Sequence, residues 1–161
     1  RGLGDVYKRQ AMKIKKHYPD IDVSVHAPQE LLMIPMDVIL IEQVLINLME
    51  NAVQHGKTTT KIELRLSSTG GFAVFEVADN GCGIEKELLP HLFEGYLTRD
   101  HEEISDQRRN MGIGLSVCMS IVQAHGGTMR AKNRKKGGAL LQFTLPLEEI
   151  SHEYQREGSS N

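Results

Sequence analysis

The chain has 161 residues, a formal net charge of -2, 40% hydrophobic and 25% charged residues, and no tryptophan. That length suffices for one two-layer core, and with 5% aromatics the core must be largely aliphatic. No lysine/arginine stripe interleaves with aromatics, so a nucleic-acid partner is not expected, and no apolar run approaches membrane-spanning length. Cys82 and Cys118 lack any paired spacing, so neither a disulfide framework nor a thiolate metal site is expected, and both read as packing residues.

Residues 1–10 match nothing that follows and are set aside as a non-native or disordered leader. A basic, helix-like stretch runs from Ala11 to His17, and Ile21–His26 alternates as a half-buried strand. Leu31–Ile34 is a short apolar run closed by Pro35. Asp37 can cap the helix that follows, in which Ile41, Val44, Leu45, Leu48 and Ala52 make one apolar stripe within Val38–His55. Asn47, Glu50, Asn51 and Gln54 recur at the same spacings on another face. Asparagine is a poor helix former, so its presence there asks for another reason.

Lys61–Leu66 and Phe72–Val77 alternate cleanly and predict an antiparallel hairpin joined through Ser67–Gly71. Its second strand delivers Asp79 into a glycine turn. Glu85–Phe93 predicts a short helix with Pro90 in or near its end. Gly95–Asn110 is charged, has no core face and is too long for a tight connection, which suits a mobile lid. Gly114–His125 predicts an apolar helix stopped by Gly126 and Gly127. Thr128–Lys132 and Ala139–Leu145 are closing strands around the basic turn Asn133–Gly138, and Ser151–Asn161 is a polar tail. The whole predicts an α/β two-layer sandwich over residues 11–150, a mixed, mainly antiparallel sheet with about three helices on one face.

Two positions carry chemistry on their own terms. Asp79 ends a strand, and a fixed carboxylate is a strong acceptor for an exocyclic amine, a bond contributing on the order of 1.5–3 kcal/mol. Glycines at 81 and 83 permit close backbone approach. The plain alternative is an Asp-Asn-Gly hairpin turn, but the chain continues as Ile84 and a helix, not a returning strand. Gly112-Ile113-Gly114-Leu115 precedes the apolar helix, so free N–H groups and the helix dipole would face an anion.

Four short motifs follow in order: Asn47-Leu48-Met49-Glu50-Asn51-Ala52, Asp79-Asn80-Gly81-Cys82-Gly83-Ile84, Leu92-Phe93-Glu94 and Gly112-Ile113-Gly114-Leu115. Their order and spacing resemble the N, G1, F and G2 boxes of the ATP-binding domain of sensor histidine kinases, within the family of gyrase, Hsp90, histidine kinase and MutL ATPases. The runs Asp37–Leu48 and Val117–Gly127 look most like the potassium-responsive sensor kinases. The resemblance implies a Bergerat-type fold and the cofactors ATP and Mg²⁺. It implies that Asn51 reaches the metal, Asn47 supports the polyphosphate and Asp79 recognises adenine. Gly81, Gly83, Ile84, His55, Gly112, Ile113, Gly114 and Leu115 complete the nucleotide set by the same resemblance. Phe93 fits either the base of the lid or the plain core.

The chain departs from the family pattern at three places. Asn110 stands where another glycine is usual, Gln54 where a cation is frequent, and His55 where tyrosine is frequent. Phosphate charge would then be met by Arg99, Arg108, Arg109 or Lys57, residues that equally suit a solvated surface. Asn47 occupies the position where hydrolytic branches carry a glutamate, and an amide is no base at neutral pH. Glu50 is a candidate catalytic carboxylate, although helix geometry turns it about 100° from Asn51. The expected activity is transfer of the γ-phosphoryl group to a histidine, with an anti-sigma type serine kinase or a non-catalytic nucleotide module as alternatives.

None of the seven histidines has the acceptor pattern, so the expected partner is a dimerisation and phosphoacceptor domain of the same kinase, with a response regulator acting indirectly. The isolated domain is expected to be monomeric and cytoplasmic. The parent is expected to be a homodimeric sensor in the inner membrane.

Overall fold

The computed structural model of the chain describes residues 3–28, 34–54, 58–94 and 106–148. Alternating burial along five segments builds one sheet. In chain order these are β1 (Asp22–His26), β2 (Lys61–Thr69), β3 (Phe72–Asp79), β4 (Met129–Asn133) and β5 (Ala139–Pro146). They lie in the order β1-β2-β3-β5-β4. β1 runs parallel to β2, and every other neighbouring pair is antiparallel, so the sheet is mixed as expected.

The period of two decides which face is covered. Ile62, Leu64 and Leu66 of β2, Ala73, Phe75 and Val77 of β3, and Leu141, Phe143 and Leu145 of β5 turn inward, and all are buried. Phe75 and Phe143 stack at the centre with ring centroids 4.3 Å apart. Three helices cover this face: α1 (Leu3–His17), α2 (Val38–Gln54) and α3 (Asp106–Ala124). Their apolar stripes join the same core, Ile41, Val44, Leu45 and Leu48 from α2 and Leu115, Cys118 and Val122 from α3. Among the described residues the opposite face carries no helix and is largely polar, with Arg65 bonded to Glu63 at 2.7 Å. That guanidinium holds the Glu63 carboxyl below the usual carboxylate range.

The helix ends follow sequence chemistry. Asp37 caps α2 as expected, its Oδ1 accepting the Leu40 N–H at 3.2 Å. α3 stops in paired 5→2 and 6→1 bonds, Gly126 N–H to Gln123 O and Gly127 N–H to Val122 O, with Gly126 at φ +82°. A Cβ at Gly127 would lie 1.7 Å from the Thr144 carbonyl oxygen, so glycine is what lets α3 pass beside β5.

Several expectations are corrected. Leu3–Gln10, set aside as a leader, belongs to α1, where Val6, Tyr7 and Gln10 are buried and the Tyr7 hydroxyl donates to Glu76 O at 2.6 Å. The hairpin ladder runs to Thr69 opposite Phe72, leaving a two-residue turn of Gly70 and Gly71, both at positive φ, instead of the longer loop Ser67–Gly71. Glu85–Phe93 forms a turn and a single 3-10 turn, Leu89–His91, because Pro90 can open a helix and cannot continue one. α3 begins at Asp106, not Gly114. It therefore runs back into the segment expected to be lid, through Asn110 and Gly112, which local propensity alone would read as a break. The remainder of that segment, 95–105, lies outside the described residues, as do Leu31–Met33 and the tail 151–161.

Truncating Phe75 to alanine removes a fully buried ring and its stacked partner contact. It is expected to cost about 3–5 kcal/mol in urea unfolding.

Candidate functional site

Asp79 continues the inward parity of β3, so its carboxylate turns towards the helix layer at the end of the sheet and is 6% exposed. A buried carboxylate needs donors. The Gly81 N–H reaches its Oδ1 at 2.8 Å and the Ala139 N–H at 3.3 Å. Burial pushes the Asp79 carboxyl up from its ordinary value, and these two bonds and the Arg134 charge oppose that shift without cancelling it.

The turn after Asp79 is fastened on both sides. Asn80 Oδ1 accepts from the Thr60 and Lys61 N–H groups, each at 2.9 Å, which ties the turn to the start of β2. On the other side, Asn133 Oδ1 accepts the Ile84 N–H at 2.7 Å and its Nδ2 donates to Ile84 O at 2.8 Å. Arg134 Nη1 donates to the Asp79 carbonyl at 2.8 Å. Gly83 has φ +79°, and a Cβ there would stand 2.9 Å from Asn133 Oδ1. Cys82, expected to pack, is exposed. The glycines around it make the turn, so its side chain points outward.

α2 arrives at the same end of the sandwich. Thr59, just before β2, donates its hydroxyl to Ala52 O at 2.7 Å, and Asn80 holds the next two residues. The last turn of α2 and the Asp79 turn are therefore joined through one short stretch of chain. Asn51 and Glu50 lie half-buried on that last turn. Asn51 Nδ2 is screened from solvent and has no hydrogen-bond partner. An orphaned amide of this kind costs about 1–3 kcal/mol unless something else satisfies it. A 180° rotation of the amide would place Oδ1 there instead, so the position can offer either a donor or a hard oxygen.

Asn47, one turn earlier, faces α3. Its Oδ1 accepts from Gln43 Nε2 at 3.2 Å and its Nδ2 donates to Cys118 Sγ at 3.4 Å. Burial pushes the Cys118 thiol up. A Cβ at Gly114 would meet Asn47 Nδ2 at 4.0 Å, so that glycine lies on the α2–α3 seam. Here an expectation fails. Gly112–Leu115 sits inside α3 and not before its first turn, so the free N–H groups invoked for an anion are spent within the helix. His55 lies outside the described residues. Phe93 is partly buried against the core, and Ile84 likewise.

Sequence reasoning missed Asn133, Arg134 and Ala139. Asn133–Gly138 was legible as a basic turn, but which turn it folds over depends on β5 lying next to β3, a long-range pairing with no local signal. Among the described residues no three histidine, cysteine, aspartate or glutamate side chains gather to hold a metal. A cavity of about 260 Å³ lies on the open face between Asp22, Lys61, Glu63, Asn80 and Arg134, away from the Asp79 carboxylate.

A sheet covered on one face by helices thus carries a buried carboxylate and an unsatisfied helical amide on two segments joined through Thr59–Lys61, and comparison with known proteins shows which class of domain this is. Residues 36–149 match the family of histidine kinase-, DNA gyrase B- and HSP90-like ATPases, and the chain belongs to that family. It is similar to the sensor protein KdpD of Clostridium acetobutylicum, 38% identical over 89% of this chain. The chain spans only 16% of that relative's length. Among solved structures it is similar to the ATP-binding domain of PrrB from Mycobacterium tuberculosis, with TM-score 0.75 and 28% identity over 92% of this chain and 96% of that one. It is also similar to the catalytic domain of the histidine kinase ThkA, with TM-score 0.74 and 26% identity over 91% of this chain and 93% of that one.

Gly137 and Gly138 both have positive φ, but only at Gly138 would a Cβ collide, 2.0 Å from the Asp79 carbonyl oxygen. Gly138→Ala is therefore expected to lower the melting temperature clearly more than Gly137→Ala, the difference isolating the contact on the Asp79 turn from backbone strain of about 1–3 kcal/mol common to both.

Proposed function

We propose that the chain is the catalytic domain of a two-component sensor histidine kinase, which binds Mg-ATP and passes the γ-phosphoryl group to a histidine on a separate dimerisation domain. The observation that carries this reading is the Asp79 carboxylate, buried at the sheet end with Oδ1 already occupied by two backbone donors. Oδ2 is then the acceptor available to an adenine amine, and a purine carrying an oxygen at that place would set acceptor against acceptor. Family membership and the likeness to KdpD, PrrB and ThkA support the same reading.

Asn51 is the residue that would hold magnesium. With its amide turned so that Oδ1 takes the unsatisfied place, Asn51 would offer a hard cation an oxygen ligand. The ion supplies neutralisation of phosphate charge. The remaining chemistry is positioning. Asn47 contributes by what it lacks, since its amide cannot take a proton from water and its two polar atoms are engaged with Gln43 and Cys118. Glu50 lies beside Asn51 on α2, turned aside by helix geometry. Water is therefore not activated, and the γ-phosphoryl group is left for an incoming imidazole. The acceptor domain, a homodimeric parent anchored in the inner membrane and a response regulator downstream complete the proposal. Among the described residues no helix is long and apolar enough to cross a membrane.

Titration with ADP, with and without Mg²⁺, separates the two anchoring residues. Asp79→Asn is expected to weaken nucleotide binding by about tenfold or more, whereas Asn51→Ala should chiefly abolish the magnesium dependence. In the unsubstituted chain, affinity should fall as pH drops through a value above the ordinary carboxyl value of 3.8, because protonated Asp79 is no longer purely an acceptor. The stability contribution of this group has the opposite sign. With its folded pKa raised, the folded state binds more protons in that window, so burial of Asp79 costs less as pH falls, and lost binding there is distinguishable from unfolding.

Incubation with radiolabelled ATP and a separately supplied histidine-bearing helical domain tests transfer. Acid-labile label is expected. Acid-stable label on serine would instead support an anti-sigma type serine kinase, and no transfer would leave a binding module.

A further inference from the structure

The β4–β5 turn touches the Asp79 segment at points that the four motifs do not include. Asn133 acts there as a strand partner made from one side chain, accepting the Ile84 N–H at 2.7 Å and donating to the Ile84 carbonyl at 2.8 Å. Both distances are short for amide bonds and both partners are backbone, so the position and orientation of residue 84 are fixed together. Asn133 also presses on the turn from the side, with Oδ1 2.9 Å from where a Cβ of Gly83 would be. The neighbouring Arg134 and Ala139 hold the other end of the segment, at the Asp79 carbonyl and at Oδ1. The turn keeps its own shape through Arg134 N–H to Gly138 O at 2.8 Å.

A bidentate clasp on an exposed side chain adds little to core packing. Its effect is directional. Asn80 is itself held by the Thr60 and Lys61 N–H groups, so the stretch that the Ile84 clasp steadies is Gly81–Gly83, whose Gly81 N–H is one of the two donors on Asp79 Oδ1. We propose that Asn133 is a positioning residue that sets purine selectivity, holding the Asp79–Ile84 segment so that the free carboxylate oxygen keeps one direction. This rests on the nucleotide reading above. The geometry selects a purine bearing an amine at the six position over one bearing a carbonyl, since a carboxylate that cannot move aside cannot escape a facing oxygen. Releasing the clasp loosens Gly81 and weakens its hold on Oδ1, leaving Ala139 as the one firm donor, so the carboxylate can turn about that bond and the penalty on the wrong purine is relieved.

The experiment measures dissociation constants for Mg-ATP and Mg-ITP, which differ at that position, on the chain and on Asn133→Ala and Asn133→Asp, together with each melting temperature. Asn133→Ala is expected to reduce the ATP-over-ITP preference by about fivefold or more, with the melting temperature within a few degrees of the unsubstituted chain. Asn133→Asp keeps an acceptor for the Ile84 N–H and should retain part of the preference, which gives a second folded variant. An equal loss of affinity for both nucleotides, or no change in either variant, overturns the proposal, because a merely structural clasp would not move the ratio. If the unsubstituted chain itself fails to prefer ATP, the Asp79 reading fails, and the role of Asn133 falls with it.

Discussion

A single carboxylate organises the functional end of this molecule. Asp79 is placed by strand parity on the covered face, where an ionised side chain is tolerated only if backbone donors meet it. One donor, Gly81, comes from its own turn, and the other, Ala139, comes from the first residue of β5. The second bond exists only because β5 inserts between β3 and β4, so the sheet order and the solvation of one buried group are the same fact. The glycine at 138 belongs to this arrangement as well, since any side chain there would occupy the Asp79 carbonyl.

α2 supplies the facing wall by carrying two patterns on one helix. Its apolar residues at spacings of three and four join Phe75 in the core, while Asn47, on another face, meets α3 at Cys118. The two helices run antiparallel and are linked at two levels. Midway along both, Asn47 donates to Cys118, and where α2 begins and α3 ends the Asp37 N–H donates to His125 Nε2 at 3.0 Å while His125 Nδ1 bonds Ile121 O at 2.8 Å. The imidazole therefore serves as donor and acceptor at once, which requires the neutral Nδ1–H tautomer. The residue that caps α2 is thus also the residue to which α3 is tied.

What could be read from the sequence was whatever had a short period or a local cap. The α2 stripe, the hairpin and its inward residues, the Asp37 cap and the Gly126-Gly127 stop all follow from spacing within a few positions, and the structure has them. Asp79 was legible because strand alternation ends on it. The start of α3 was not, because its first turns carry charge in place of an apolar stripe and include Asn110 and Gly112, which local propensity reads as a break. The first half of α1 was passed over for a related reason, whereas its second half, Ala11–His17, was read as helix. Its buried residues Val6, Tyr7 and Gln10 include polar groups that look like surface until Tyr7 finds the Glu76 carbonyl across the sheet. Asn133 illustrates the third limit. Nothing within five residues of it announces that Ile84, 49 positions away, is its partner.

The sheet's outermost members have a consequence for the molecule in concentrated solution. Among the described residues, β1 and β4 leave one row of peptide groups each without a strand beside them, and each is only five residues long. Arg130 and Lys132 project from β4, and Asp22 and His26 from β1. Short borders carrying charge are poor templates for growth by another chain, and on β4 a second copy would have to set Arg130 and Lys132 against their own kind. Among the described residues, such borders disfavour strand addition by a second molecule even though one face of the sheet is left without a helix.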